Sequence, residues 1–150
     1  RLPKKPTAIN KVRAETPLDV EQGSVSCKPS TRPRAKVMKP FSRIISGTMT
    51  WGAWGSQFSI KQMQVLIEEA VGLGIYTFDH ADIYGDYSTE QEFGKAFKES
   101  PIPRENVQFI TKCGIQMPCE ERPLNVKYYD LSGAHIRMSV ENSLKKLNTD

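Results

Sequence analysis

The stretch Thr77-Phe78-Asp79-His80-Ala81-Asp82-Ile83-Tyr84-Gly85 decides how this chain is read. Thr77 to Ala81 has the period-two texture of a short buried strand, so a face that carries Thr77, Asp79 and Ala81 inward turns Phe78 and His80 outward. Asp79 is then a carboxylate aimed inward at a strand end, with the phenol of Tyr84 shortly after it. Further along, Val107-Gln108-Phe109-Ile110-Thr111-Lys112-Cys113-Gly114 alternates too and brings Lys112 to its own strand end, in phase with Ile110. Two such strands side by side let Asp79 and Lys112 meet. The spacing leaves two readings open: an ion pair near a rim with Tyr84 a loop aromatic, or a reactive group of amine, carboxylate and phenol.

Outward from this stretch, strand and helix signals alternate from Phe41 onward. Ser42 to Met49 reads as a strand, and Thr50-Trp51-Gly52-Ala53-Trp54-Gly55 as the loop after it. Trp51 and Trp54 either cover a core or wall a pocket, and pockets are largely apolar. Ser59, with Gln62 three residues on, forms a capping box that opens a helix. Ile60, Met63, Ile67, Ala70 and Val71 give that helix one buried stripe, and Gly72 or Gly74 ends it. The Gly72-Leu73-Gly74 pair closes a helix instead of following a strand and lacks a third glycine, so a dinucleotide fingerprint fails.

Ser88 with Gln91 predicts a second capped helix, lined inside by Phe93, Ala96 and Phe97 and stopped by Ser100-Pro101-Ile102-Pro103. The strand Asn106 to Lys112 follows. Gly114 to Tyr129, with Pro118 and Pro123, is a long polar loop, functional or mobile. Ser132 starts a last helix whose predicted buried positions are Ile136, Val140, Leu144 and Leu147, with Lys145-Lys146 at its carboxyl end and His135 a capping or surface residue. Strand and helix alternate with no hairpin between them, which predicts a parallel sheet with right-handed crossovers.

An Asp, then Ala two residues on, then Tyr-Gly, with a later strand ending Ile-Thr-Lys, resembles the first half of an aldo-keto reductase. Ser139 to Leu147 likewise resembles the family's helix before its fourth strand, so the likeness covers residues 41–150. The resemblance implies the α/β class and a (β/α)8 TIM-barrel type, with only the first three βα units in this chain. It implies an NADPH-dependent oxidoreductase that reduces aldehyde or ketone carbonyls. Tyr84 matches the proton donor, Lys112 the residue that lowers its pKa, and Asp79 the residue that holds Lys112 in place. A phenol with an ordinary pKa near ~10 needs such help to give up its proton. Tyr87, three residues on, is the rival donor, and the family spacing from the aspartate selects Tyr84. Gly47, Thr48, Met49 and Asp79 match the edge of the nicotinamide site, while Trp51, Trp54 and Tyr84 match the substrate pocket. The fourth family residue, a His on the next strand, has no counterpart, and roughly 250 residues are usual for such a barrel. The chain opens on Arg1 and closes at Asn148-Thr149-Asp150, so it is expected to be a truncated amino-terminal piece. His80 and Asp82 alone do not make a metal site, and no metal is expected.

Composition sets the remaining bounds. Residues 1–40 hold ten Lys and Arg against three acids, net +7, while residues 41–150 hold eleven against fourteen, net −3. The first segment also has six of the ten prolines and no aromatic residue, so it reads as a basic arm or linker without enough apolar surface to order itself. Arg34 to Met38 is a candidate for a short strand pairing with the next. A solvated tail is favoured over nucleic-acid binding or organelle targeting. Cys27, Cys113 and Cys119 have no metal or redox spacing and suit a reducing cytoplasm. No run has the eighteen or so apolar residues of a membrane span. The expected partner is a small carbonyl compound. The competing class is a non-catalytic truncated or regulatory homologue acting as a protein-binding module. Three βα units leave sheet edges unpaired, which predicts marginal stability, aggregation or an oligomer.

Overall fold

The computed structural model describes residues 39–150, apart from residues 121 and 124. The basic arm and the strand expected at Arg34 to Met38 lie outside the described residues, save Lys39 and Pro40. Three strands, β1 (Ser46–Gly47), β2 (Thr77–Asp79) and β3 (Gln108–Ile110), form a parallel sheet in that order. They alternate with helices α1 (Ile60–Gly72), α2 (Thr89–Glu99) and α3 (Gly133–Leu147). Gly47 pairs with Asp79, and Asp79 with Ile110. All three strands are shorter than the alternating pattern predicts, but single backbone bonds carry the pairing past their ends. Thr48 N–H donates to the Asp79 carbonyl at 3.0 Å, His80 N–H to Ile110 at 2.8 Å and Asp82 N–H to Lys112 at 2.9 Å.

The outward face of β2 is covered by helices, which is why Phe78 and His80 are both fully buried although neither points toward Asp79's side. Phe78 sits in a core with Met63 and Ile67 of α1, Phe93, Ala96 and Phe97 of α2, Val107, and Leu147 of α3. Burying a side chain such as Phe78 or Ile67 stabilises the fold by about 1.5–3 kcal/mol each. On the opposite face, Thr77 is satisfied rather than solvated: its hydroxyl accepts from Ser42 N–H at 3.0 Å and donates to Gln108 at 2.9 Å. The α1 capping box forms as predicted, Ser59 and Gln62 answering one another. Gln64 of α1 donates to the Glu99 carbonyl at 3.1 Å and so satisfies the carboxyl end of α2.

Three expectations are corrected. Ser88 precedes α2 but makes no side-chain cap, because its backbone is already helical at φ −95 and ψ −34 and turns the hydroxyl away from the first-turn amides. The expected absence of a hairpin does not hold in the long polar loop, where β4 (Ile115–Gln116) and β5 (Tyr128–Tyr129) pair antiparallel and form a ribbon. The buried positions of α3 are His135, Ser139, Ser143 and Leu147, while Ile136 and Val140 stand 40% and 47% exposed.

That last reversal has a chemical cause. Glu90 of α2 is buried with its carboxylate accepting from Thr111 at 2.6 Å and from Ser143 at 3.1 Å, and His135 meets Gln116 at 2.8 Å and Ser139 at 3.2 Å. A buried carboxylate demands hydroxyl donors, so α3 turns Ser143 to Glu90 of α2, while His135 and Ser139 on the same side meet Gln116 of the loop before α3. The helices also approach closely at Gly94, where an added Cβ would run into the Lys146 carbonyl oxygen and the Leu147 Cα. Alanine in place of a helical glycine ordinarily stabilises by up to about 1 kcal/mol. Here Gly94→Ala is expected to destabilise by about 1–3 kcal/mol instead, since the atoms it meets are backbone. Urea unfolding of the complete protein checks the sign, and an unchanged or raised midpoint contradicts this packing.

Candidate active site

Asp79 ends β2, and Lys112 stands two residues past β3, held by the bond from Asp82 N–H to its carbonyl. Their side chains meet as the sequence predicts. Lys112 Nζ lies 2.7 Å from both Asp79 oxygens, with the two side chains 49% and 32% exposed. An ion pair this open contributes at most about 1 kcal/mol to stability, so its consequence is positional. Burial acts on Lys112 downward, yet hydrogen bonding and charge from Asp79 and from Tyr84 outweigh it and hold the ammonium above the ordinary lysine range. Lys112 Nζ lies 5.2 Å from the centre of the Tyr84 ring. Carboxylate, amine and phenol are thus gathered at the carboxyl end of the parallel strands.

The turn after β2 aims Tyr84. Gly85, Asp86 and Tyr87 take three successive positive φ values, 58°, 54° and 71°. Only glycine fits the first, because an added Cβ would also collide with the Thr89 hydroxyl. Asp86 accepts from Trp54 Nε1 at 2.9 Å, and the Trp54 ring lies 6.1 Å from Tyr84. Trp51 goes elsewhere, half-buried against Phe58, Phe78 and Phe93 at 6.0–6.4 Å between ring centres. Tyr87, the rival phenol, is 7% exposed, with its hydroxyl accepting from Met117 N–H at 2.9 Å. Its hydroxyl therefore faces the ribbon, whereas the Tyr84 ring lies by Lys112.

Of the other residues singled out in sequence, Gly47 and Met49 are exposed beside β2, and a Cβ built on Gly47 meets nothing within 4 Å. Thr48 is fully buried, its hydroxyl donating to the Asp79 carbonyl at 3.0 Å and sharing a 2.9 Å bond with His80 Nδ1. Asp82 is buried, and burial first, then the Glu90 charge, raises its carboxyl above the usual range. Among the described residues no group of three or more His, Cys, Asp or Glu is placed to hold a metal ion. His135, read as a cap or surface residue, is buried instead, as its bonds to Gln116 and Ser139 require.

Two features escaped the sequence. Cys113 and Ile115 join Ala81, Asp82, Ile83 and Lys112 around a cavity of about 90 Å³. Burial and the charges of Asp82 and Glu90 push the Cys113 thiol up, which keeps it protonated and poorly nucleophilic. The second is the run of positive φ values at Gly85, Asp86 and Tyr87, for which the Gly-Asp-Tyr order is a signal, since Asp tolerates positive φ better than most residues.

His80 provides a test of the packing beneath the site. Its ring lies 4.3 Å from Phe93 and 5.9 Å from Phe109, and Nε2 has no hydrogen-bond partner among the described residues. Burial lowers its pKa to about 3, with the Asp79 charge opposing. The folded form then refuses a proton that the unfolded chain takes near 6.5, so stability is full above pH 6.5 and falls as pH drops toward 3. The expected slope is one proton, about 1.4 kcal/mol per pH unit. Unfolding titrations between pH 6.5 and 4 should show this slope flattened in His80→Gln; an equally steep variant means that His80 does not carry it.

Comparison with known proteins identifies the family and the fold. Residues 43–150 match the family model described as Aldo/keto reductase family. The chain is 46% identical over 111 residues to the uncharacterized oxidoreductase YcsN of Bacillus subtilis, covering 73% of this chain and 36% of that protein. It is 39% identical over 110 residues to the 6-dehydroglucose reductase of Agrobacterium fabrum, with 73% and 37% covered. The solved structure of the glycerol dehydrogenase of Gluconobacter oxydans superposes with a TM-score of 0.61 at 30% identity, over 74% of this chain and 33% of that one. The fold of these neighbours is the (β/α)8 barrel, of which the chain supplies the first three βα units. It spans about a third of the length of the curated relatives that it matches. No helix among the described residues is long and apolar enough to cross a membrane.

Proposed function

The chain belongs to the aldo/keto reductase family, and from that premise we propose that the complete protein reduces aldehyde or ketone carbonyls with NADPH, Tyr84 giving the proton. The observation that carries this reading is the convergence of Lys112 on both Asp79 oxygens at 2.7 Å and on the Tyr84 ring at 5.2 Å. A carbonyl oxygen that gains negative charge must be protonated in step, and a phenol held beside an ammonium meets that need. Asp79 fixes the ammonium by accepting hydrogen bonds from it on both carboxylate oxygens, which leaves a further N–H to face the phenol oxygen. As the Tyr84 proton departs, the Lys112 charge stabilises the oxygen left behind. Trp54 walls the pocket over Tyr84, and Trp51 anchors the same loop in the core.

The residues present fit the edge of a flat ring cofactor. Gly47 and Met49 leave an open approach next to Asp79, and Thr48, spent on Asp79 and His80, makes the floor rigid. When bound, NADPH supplies the hydride. The proposed compartment is the cytoplasm, a reducing setting that suits unpaired Cys113 and Cys119.

The test is Tyr84→Phe in the complete protein, which removes one oxygen and keeps the ring against Trp54. Turnover of an aldehyde should fall by about 10²–10⁴-fold, the usual worth of a positioned general acid. NADPH affinity, read from tryptophan fluorescence, should stay within about twofold. Surviving turnover overturns the assignment of Tyr84, and loss of cofactor binding along with turnover assigns the phenol to binding instead.

A further inference from the structure

The ribbon between β3 and α3 is tied down in more ways than its two-residue ladder requires. Ile115 pairs with Tyr129 and Gln116 with Tyr128, while Asp130 N–H closes the base on the Gly114 carbonyl at 2.8 Å. Beyond that ladder, the ribbon is fastened to Tyr87. Met117 N–H donates to the Tyr87 hydroxyl at 2.9 Å, and the Arg122 guanidinium lies 3.9 Å over the same ring. From α3, Lys146 donates to the Tyr87 carbonyl at 2.7 Å. These ties converge on a residue with φ at 71°, a conformation that an aromatic side chain adopts only when its surroundings over-determine it.

The ribbon's fastened end faces the ion pair. Ile115 lines the 90 Å³ cavity with Lys112, Asp82, Ala81 and Ile83. Ile115 and Met117 also pack, with Trp54 and Tyr84, against Ala81, Ile83 and Tyr87. Trp54 reaches this cluster from the loop after β1, whereas Ile115 reaches it from the ribbon. The cavity is narrow and mostly apolar, with Ala81, Ile83 and Ile115 beside Asp82, Lys112 and Cys113 in its wall.

We propose that Ile115 sets the size of the carbonyl substituent accepted beside Lys112, selecting small apolar groups, and that Tyr87 is the positioning residue that holds Ile115 there. The proposal rests on the reductase reading above. Tyr87 touches no substrate in this account; it acts through the ribbon. Shortening Ile115 widens the cavity directly. Removing the Tyr87 hydroxyl frees Met117 N–H and lets the ribbon give, which widens it indirectly.

The experiment uses the complete protein with propanal and benzaldehyde as probes and NADPH as reductant, comparing the parent with Ile115→Ala and Tyr87→Phe. In both variants the ratio of kcat/KM for benzaldehyde to that for propanal should rise at least fivefold, carried by KM. In Tyr87→Phe alone, amide exchange at Ile115 to Met117 should quicken at least tenfold while α1 is unchanged. A purely structural Tyr87 would lower both aldehydes alike, and a ratio within twofold of the parent overturns the proposal. Unchanged exchange in Tyr87→Phe overturns the clamp. Failure of the parent itself to oxidise NADPH with either aldehyde is a different result, which sinks the reductase reading and the proposal with it.

Discussion

The register between β2 and β3 governs everything at the reactive end of this chain. Asp79 sits opposite Ile110, and the bond from Asp82 N–H to the Lys112 carbonyl extends the same alignment past the last paired residues. In a strand the side-chain period is two, so a slip by one residue would send Asp79 into the helical layer and bring Phe78 out of the core. The hydrophobic cost of exposing Phe78 thus locks the position of a carboxylate that itself adds little to stability. Geometry at the rim is set by burial behind it.

The same logic explains the tyrosines. Two phenols three residues apart could not be told apart by residue type, and the fold separates them by burial. Three positive φ values turn the chain so sharply that Tyr84 stays half-buried next to Lys112, while Tyr87 goes under the ribbon. Strain of this kind costs of order 1–3 kcal/mol per residue and persists where several contacts oppose relaxation. Trp54 on Asp86, and Met117 and Arg122 on Tyr87, are those contacts.

Much of this was legible in the order of residues. Alternation around Asp79 and Lys112 predicts two neighbouring strands and the meeting of these side chains, because a period of two is a direct consequence of strand geometry, although both strands stop short of the predicted ends. The Ser59 and Gln62 box marked α1 because its hydrogen bonds are local. What could not be read was whatever depends on a distant partner. Ile136 and Val140 have helical spacing, yet α3 buries Ser143, which donates to Glu90 on another helix, and His135 and Ser139, which are tied to each other and to Gln116 of the ribbon. Ser88 looked like a cap and was not one, since its own backbone angles were fixed by the turn preceding it. Trp51 and Trp54 were indistinguishable in a glycine-rich loop until the core claimed one of them.

If Asp79 serves only to hold Lys112, then losing both should cost no more than losing Lys112 alone. The direct measurement is a double-mutant cycle on kcat/KM for one aldehyde in the complete protein, with Asp79→Asn, Lys112→Met and the pair. The double variant is expected to fall within about twofold of Lys112→Met. Losses that multiply, each substitution exacting its full effect in the other's absence, would show that the carboxylate and the amine act separately and would contradict the arrangement described at the ends of β2 and β3.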